Sequence, residues 1–247
     1  MTSEKGKIYL VGLGTGNRLD LTPRAVKALE ESTAVAGYNK YLEYIEDLTK
    51  GKEVISSGMM KEVDRCKAAV DEAAKGKIVS VVSSGDAGVY GMGGLVLEII
   101  TAEKLDLEVE LVPGITAATA AAARVGAPFM LDFAVISLSD LLQSWEVILK
   151  RLEAAASADF AVALYNPKSM KRVTQIEDAA EIFRKHRPGT TPVAICTAVG
   201  REDEKIVISD LDDFLNEDIN MFSIVLIGNS SSLVAGDWII TPRGYSV

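Results

Sequence analysis

Residues 77–94 read Lys-Ile-Val-Ser-Val-Val-Ser-Ser-Gly-Asp-Ala-Gly-Val-Tyr-Gly-Met-Gly-Gly, and this stretch restricts the fold most. Ile78 to Val82 is an apolar, β-branched run, the pattern of a buried strand. It passes into Ser83-Ser84-Gly85-Asp86 and then a loop with glycine at 85, 88, 91, 93 and 94. Glycine has no Cβ, so such a loop can adopt positive φ and bring its backbone close to a ligand. Leu95 to Ile100 is apolar and reads as a helix. Strand, glycine-rich bend and helix in that order match the crevice at the carboxyl end of an α/β sheet. They equally match a tight turn with Asp86 as the helix N-cap. Local grammar leaves both open.

The rest of the first half repeats this grammar. Ile8 to Val11 is a strand leading into Gly12-Leu13-Gly14-Thr15-Gly16-Asn17, a second glycine-rich loop. Thr22-Pro23 starts a helix, with Thr22 as N-cap and Pro23 at the first helical position. Strands follow at 34–37, 53–55 and 108–112. Helical stripes are set by Tyr38, Tyr41, Leu42 and Ile45, and by Val63, Cys66, Val70 and Ala73. Alternating strands and helices give a mostly parallel sheet with helices on its faces. Pro113-Gly114 marks the boundary between an N-terminal domain, 1–113, and a C-terminal domain, 114–247. The second half has an alanine-rich helix at 115–123, strands at 133–138, 160–165, 193–196, 206–208 and 222–227, and a short helix at 211–215. Helices centred on Trp145 to Leu152 and Ile176 to Phe183 cover them. The strand-turn-strand around Gly200 reads as an antiparallel pair, so the second sheet should be mixed. The fold class is α/β throughout.

Charge and rare residues exclude several functions. The 247-residue chain carries a net charge of −9 and no basic block, so it is a poor nucleic-acid binder. Its single histidine, His186, sits among cations at a helix end, where a solvated position fits the helix dipole. One histidine rules out a His-rich metal site, and no metal is expected. Cys66 and Cys196 form no CxxC and fall at apolar positions, as buried inert thiols. Residues 1–7 show no signal-peptide pattern and no apolar run is long enough for a membrane span, so the expectation is a cytoplasmic protein.

Known nucleotide fingerprints fail. GxGxxG would need glycine at 17, where Asn17 stands, and the second strand ends Val35-Ala36-Gly37-Tyr38 without the usual ribose-binding acid. No GxxxxGK[ST] is present, and no Ser-His-Asp set can be built around the one histidine, which is distant from any GxSxG. What remains is binding of a small, moderately polar ligand through backbone groups at two glycine-rich strand ends and a Pro-Gly-Ile-Thr-Ala turn.

Five segments in order resemble the tetrapyrrole methylase family: Val11-Gly-Leu-Gly-Thr-Gly16, Ser84-Gly-Asp-Ala-Gly-Val-Tyr90, Val112-Pro-Gly-Ile-Thr-Ala117, Leu164-Tyr-Asn-Pro167 and Ile224-Val-Leu-Ile-Gly-Asn229. Asp132 to Leu142, Leu164 to Ser169, Ile227-Gly-Asn-Ser and Thr241-Pro-Arg-Gly-Tyr245 resemble its C17-methylating branch. The resemblance implies a two-domain tetrapyrrole methylase-like fold with S-adenosyl-L-methionine held between the domains. It implies methyl transfer to C17 of a precorrin-3-type macrocycle, with ring contraction, in cobalamin biosynthesis. Methylation of another precorrin carbon, a diphthamide-type or RNA-acting relative and a non-enzymatic binding module are the competing readings. By motif, the donor-binding residues are Thr15, Ser84, Gly85, Asp86, Val89, Thr116, Ala117 and Asn166. The family more often has proline at 15, an acid at 17 and a histidine at 131, where this chain has Thr15, Asn17 and Leu131. No catalytic residue is assigned. The implied substrate carries several carboxylates, so Lys168 and Arg172, with Arg243, are the candidate substrate cations. The bland alternative for Lys168, Lys171 and Arg172 is the solvated first turns of a helix. Family analogy gives a homodimer.

Overall fold

The computed structural model describes residues 5–58 and 60–246. The chain divides between Ala117 and Ala118 into two compact units, each with its own sheet.

The first unit runs β1 (Lys7–Gly12), α1 (Pro23–Glu31), β2 (Ala34–Tyr38), α2 (Asn39–Glu43), α3 (Glu46–Thr49), β3 (Glu53–Ser57), α4 (Glu62–Ala74), β4 (Ile78–Ser83), α5 (Gly93–Ala102) and β5 (Glu108–Val112). The sheet is parallel throughout, in the order β3-β2-β4-β1-β5. Side chains along a strand alternate between its two faces. Tyr9 and Val11 of β1 accordingly pack with Ala25, Ala28 and Leu29 of α1. Ile8 and Leu10 pack with α4 and α5 on the other face. Steps from β1 to β2 to β3 go one way across the sheet with helices on one face. Steps from β3 to β4 to β5 go back with helices on the other, as right-handed crossovers require. Neighbours β1 and β4 therefore send their chains apart, which makes their carboxyl ends the topological switch point.

Local signals explain where elements start. Thr22 caps α1, its Oγ1 accepting from the Ala25 N–H at 3.1 Å, with Pro23 at the first helical position. The α4 stripe holds at Cys66, Val70 and Ala73, but Val63 is exposed and Arg65 is buried in the same turn. Helix α5 starts at Gly93, after Met92, with no side-chain cap. Asp86 is therefore not its N-cap.

The second unit takes in most of α6 (Ala117–Val125), then β6 (Gly126–Ala127), β7 (Phe133–Ser137), α7 (Trp145–Ser157), β8 (Ala161–Tyr165), α8 (Gln175–Arg184), β9 (Pro192–Thr197), β10 (Lys205–Asp210), β11 (Ser223–Ile227), β12 (Leu233–Ala235) and β13 (Trp238–Ile240). Its main sheet is mixed, in the order β10-β9-β11-β8-β7. Strands β7 and β8 are parallel and the other neighbours antiparallel. Helices α7 and α8 bury Ile148, Leu152, Ile176, Ala180 and Phe183 against it. The helix expected at 211–215 is a single 3₁₀ turn, Phe214–Asn216. Asp210 Oδ1 accepts from the N–H groups of Asp212 and Asp213, so a side chain takes donors that a helix would have used. Strand β13 pairs with β12 on one side and β6 on the other in a small second sheet that the periodicity did not reveal.

Candidate active site

The carboxyl ends of β1, β4 and β5 meet main chain to main chain. Leu13 N–H donates to Ser83 O at 2.9 Å, and Gly14 and Gly85 exchange hydrogen bonds of 3.0 and 2.7 Å. A Cβ built on Gly114 would stand 2.1 Å from Gly85 O, and one on Gly12 would stand 2.6 Å from Gly114 N. Only glycine permits that approach. Asp86 completes the clasp. Its Oδ1 accepts from Gly88 N–H at 2.8 Å, shaping its own loop, and its Oδ2 accepts from Gly114 N–H at 3.0 Å. Bonds from a carboxylate to backbone N–H groups are among the stronger ones. The clasp brings together Ser84, Gly85, Asp86 and the Pro-Gly turn. Thr116 Cα lies 3.7 Å from where a Cβ on Gly85 would sit, with Ala117 N beside it. Val89 follows on the same loop, half-buried.

Thr15 is buried in loop one and serves that loop. Its Oγ1 donates to Asp20 Oδ2 at 2.6 Å and accepts from Asn17 N–H at 3.2 Å. Asn17 in turn accepts from Leu19 N–H. The departures from the family pattern at 15 and 17 thus have a local use in building this turn.

In the second unit, the loops after β7 and β8 are stitched by side chains. Asn166 is exposed with φ +52° and donates from Nδ2 to Ser137 Oγ at 2.9 Å. Arg172 is buried, with Nε donating to Asn166 O at 3.0 Å and Nη1 to Ser139 Oγ at 3.4 Å. Burial pushes its guanidinium pKa down, and the nearby Asp140 opposes the shift. Lys168 shares this loop, half-buried. The run 168–172 precedes α8 and does not form its first turns. Arg243 is not brought to this loop. It is exposed two residues beyond Thr241, whose Oγ1 donates to Pro128 O at 2.6 Å and shares a hydrogen bond with Ser232. Asn229 and its serines follow β11 where β8 begins, at the opposite end of the sheet. The Ile-Gly-Asn-Ser and Thr-Pro-Arg segments therefore fasten the chain's end.

Sequence reasoning passed over Tyr165, whose hydroxyl accepts from Ala118 N–H at 2.8 Å, and Gly12 and Gly114 as contact residues. All three stand inside the family-like segments, Gly12 in 11–16, Gly114 in 112–117 and Tyr165 in 164–167, but nothing local shows which main-chain group each meets. Other reactive side chains lie elsewhere. His186 hydrogen-bonds Glu153 at 2.6 Å, past the end of α8. Burial pushes the Cys66 thiol up to about 11 and that of Cys196 up to about 12, which keeps both protonated and inert. The strand-end loops thus offer oriented main-chain groups and one fixed carboxylate, suited to holding a polar ligand in one pose.

The family described as Tetrapyrrole (Corrin/Porphyrin) Methylases matches residues 7–215. The chain belongs to the tetrapyrrole methylases. A relative named "Cobalt-factor III methyltransferase", from Priestia megaterium, is 46% identical over 245 residues; the match takes in 98% of this methylase but only 45% of that longer protein. The "Probable cobalt-factor III C(17)-methyltransferase" of Salmonella typhimurium (strain LT2) is 43% identical, over 97% of this chain and 100% of that one. The "Precorrin-3B C(17)-methyltransferase" of Sinorhizobium sp is 38% identical, over 98% of both. Among solved structures, that of the methyltransferase CobJ matches this methylase with a TM-score of 0.90 and 37% identity, over 97% of this chain and 100% of that one. A uroporphyrin-III C-methyl transferase from Thermus thermophilus, complexed with S-adenyl homocysteine, has the same fold at a TM-score of 0.71 and 21% identity, over 90% of this chain and 97% of that one.

Proposed function

We propose that this methylase binds S-adenosyl-L-methionine and methylates C17 of a precorrin-3-type macrocycle, with ring contraction, in cobalamin biosynthesis. The observation that carries the reading is the 37% identity and 0.90 TM-score to CobJ along nearly the whole chain, together with relatives of matching length named as C(17)-methyltransferases of cobalt-factor III and precorrin-3B. In the first unit, Thr15, Ser84, Gly85, Asp86, Val89, Thr116 and Ala117 are the proposed donor contacts; in the second, Asn166. The residues fit such a ligand. A clasp of close-packed glycine main chain presents N–H and C=O groups without side chains in the way.

The bound donor supplies a methyl group already activated on a sulfonium. The chain's task is alignment, which can lower a barrier by roughly 7–11 kcal/mol. The Gly14–Gly85 bonds and the Asp86 bridge fix the loops before any ligand arrives, so little reorganisation is left for the reaction itself. Lys168 and Arg172 are the proposed partners of the substrate's carboxylates, with Lys168 the less committed to the fold; Arg243, which follows Thr241 on the segment tied to Ser232 and Pro128, is set apart from them. The reading includes a homodimer in the cytoplasm; among the described residues no helix is long and apolar enough to cross a membrane.

The deciding experiment is anaerobic incubation with carbon-13-methyl donor and the trimethylated macrocycle, with and without cobalt, read by product mass and NMR. Label at C17 of a contracted ring is expected. Label at another carbon refutes the regiochemistry, and no uptake of S-adenosylhomocysteine by calorimetry refutes the reading entirely.

A further inference from the structure

A buried positive charge lies against the glycine-rich loop 84–92 at Met92. Arg65 of α4 is 4% exposed. Its Nη1 donates to Ser57 Oγ at 2.6 Å and lies 3.4 Å from the carbonyl oxygens of Ser57 and Gly58. Nε and Nη2 each lie 3.4 Å from Met92 Sδ, and a thioether is a weak acceptor. Buried Arg187, by contrast, has Asp159 at 3.4 Å. Among the described residues no carboxylate oxygen comes within 4.0 Å of Arg65. A cation buried against neutral groups is costly, and an apolar residue of similar size usually costs less. The packing of α4 therefore does not account for an arginine here.

The guanidinium fork spans two structures. One side holds Ser57, the last residue of β3. The other holds Met92, whose N–H donates to the buried Ser83 Oγ at 3.0 Å. Gly93 N–H then donates to Ala87 O at 2.9 Å, closing the loop on itself. The loop is thus fixed at its start by the Gly14–Gly85 bonds and at its return by Ser83 and Arg65 acting on Met92. Between them Tyr90 takes φ +54°, a conformation a bulky side chain keeps only when the surroundings enforce it.

We propose that Arg65 is a positioning residue for donor binding: it pins Met92 and so holds loop 84–91 in the shape that receives S-adenosyl-L-methionine. This rests on the donor reading above. A lysine cannot do the same work, because one ammonium cannot reach Ser57 and Met92 with the planar spread of a guanidinium.

The test compares full-length wild type with Arg65→Met, Arg65→Lys and Ser57→Ala. S-adenosylhomocysteine Kd is read by calorimetry, with donor KM, macrocycle KM and kcat, and thermal unfolding as the check of folding. Arg65→Met should weaken S-adenosylhomocysteine about tenfold, or about 1.4 kcal/mol, and raise donor KM similarly. Macrocycle KM and kcat at saturating donor should stay within about twofold, the pattern of lost uniform binding. Arg65→Lys should recover less than half of that loss on a logarithmic scale. Ser57→Ala, which keeps the packing, should show about a threefold loss; it decides the matter if Arg65→Met does not fold. A folded Arg65→Met, or in its place Ser57→Ala, with wild-type affinity overturns the proposal while leaving the donor reading intact. A wild-type chain that takes up no S-adenosylhomocysteine overturns both.

Discussion

The glycine clasp predicts that one substitution will have opposite effects at two positions. In Gly114→Ala the new Cβ would start 2.1 Å from Gly85 O, 2.7 Å from Gly12 C and 2.8 Å from Gly12 Cα. All three are main-chain atoms at the ends of buried parallel strands, so none can swing aside as a side-chain tip would. Ordinary contact requires a displacement of more than about 1 Å, and overpacking of a core costs about 1–3 kcal/mol even where side chains can adjust. The same displacement stretches the Asp86–Gly114 bond, which, as a bond to a charged group, is worth about 1.5–3 kcal/mol. The expected loss is about 3–5 kcal/mol for the first unit, which at about 4 °C per kcal/mol lowers its Tm by roughly 10–20 °C. Methyl transfer should slow by about a hundredfold, a loss that an ångström's misplacement of the reacting groups can cause, and binding of S-adenosylhomocysteine should weaken. Gly94→Ala is the control. Gly94 lies in the first turn of α5 with no heavy atom within 4 Å of a built Cβ, so alanine should stabilise by about 0.4–1 kcal/mol through the unfolded chain. Circular-dichroism melts and urea titrations of both variants, with calorimetry, read the outcome. A Gly114→Ala melt within about 2 °C of wild type, or equal losses at both positions, would refute close main-chain packing as the reason for glycine at 114.

Asp86→Asn keeps one acceptor and turns an amide N–H₂ toward the other donor, so urea unfolding should show a loss of about 1–3 kcal/mol; unchanged stability would mean that the carboxylate does not bridge to Gly114. Hydrogen bonds from Lys75 and Lys77 hold the Glu72 carboxyl at about 2 instead of the usual 4.5. Its contribution to stability is therefore complete above about pH 4.5 and disappears as the pH falls toward 2, and Glu72→Gln should flatten that part of the acid-unfolding profile. Cys66 and Cys196, with thiols pushed up to about 11 and about 12, should stay silent to a disulfide reagent at pH 8 and react together on denaturation; a fast-reacting thiol in the folded protein would contradict their burial.

Where the sequence was legible, a local rule settled the matter. Thr22-Pro23 marks the start of α1 because a hydroxyl acceptor and a residue without an N–H both suit a helix N-terminus. The buried runs in β1, β4, β8 and β11 are visible because strands covered on both faces leave no polar alternation. The mixed second sheet follows from the hairpin at Gly200. What stayed hidden depends on strand order. Asp86 and Gly114 meet because β4, β1 and β5 are consecutive in the sheet, and no periodicity reports adjacency. Arg172 looked like one more solvated cation. It is buried because the left-handed turn at Asn166 leaves a carbonyl that needs a donor, and the arginine six positions on supplies it. Leu211 to Leu215 has a helical apolar spacing, yet Asp210 draws its N–H groups into a turn.

The two units solve loop placement by different means, and the difference bears on what each can vary. In the first, the strand ends are fixed by main chain against main chain, and any side chain at Gly12 or Gly114 collides with backbone. Such a surface tolerates little substitution and presents the same groups whatever the neighbouring side chains are. It suits recognition of an unvarying ligand such as a methyl donor. In the second, Asn166, Arg172, Ser137 and Ser139 hold the loops after β7 and β8 through side chains. Exchange of a few of them re-aims a loop without disturbing β7 or β8, whose pairing is main chain. Relatives that methylate different ring positions should therefore differ at the counterparts of 138–144 and 166–174 more than at those of 12–17, 84–91 and 113–117. Exchanging the two second-unit loops for those of such a relative, with Asn166 kept, should then shift the labelled carbon in the product while S-adenosylhomocysteine affinity stays within about threefold. A product still labelled at the original carbon would locate the choice of carbon outside these loops.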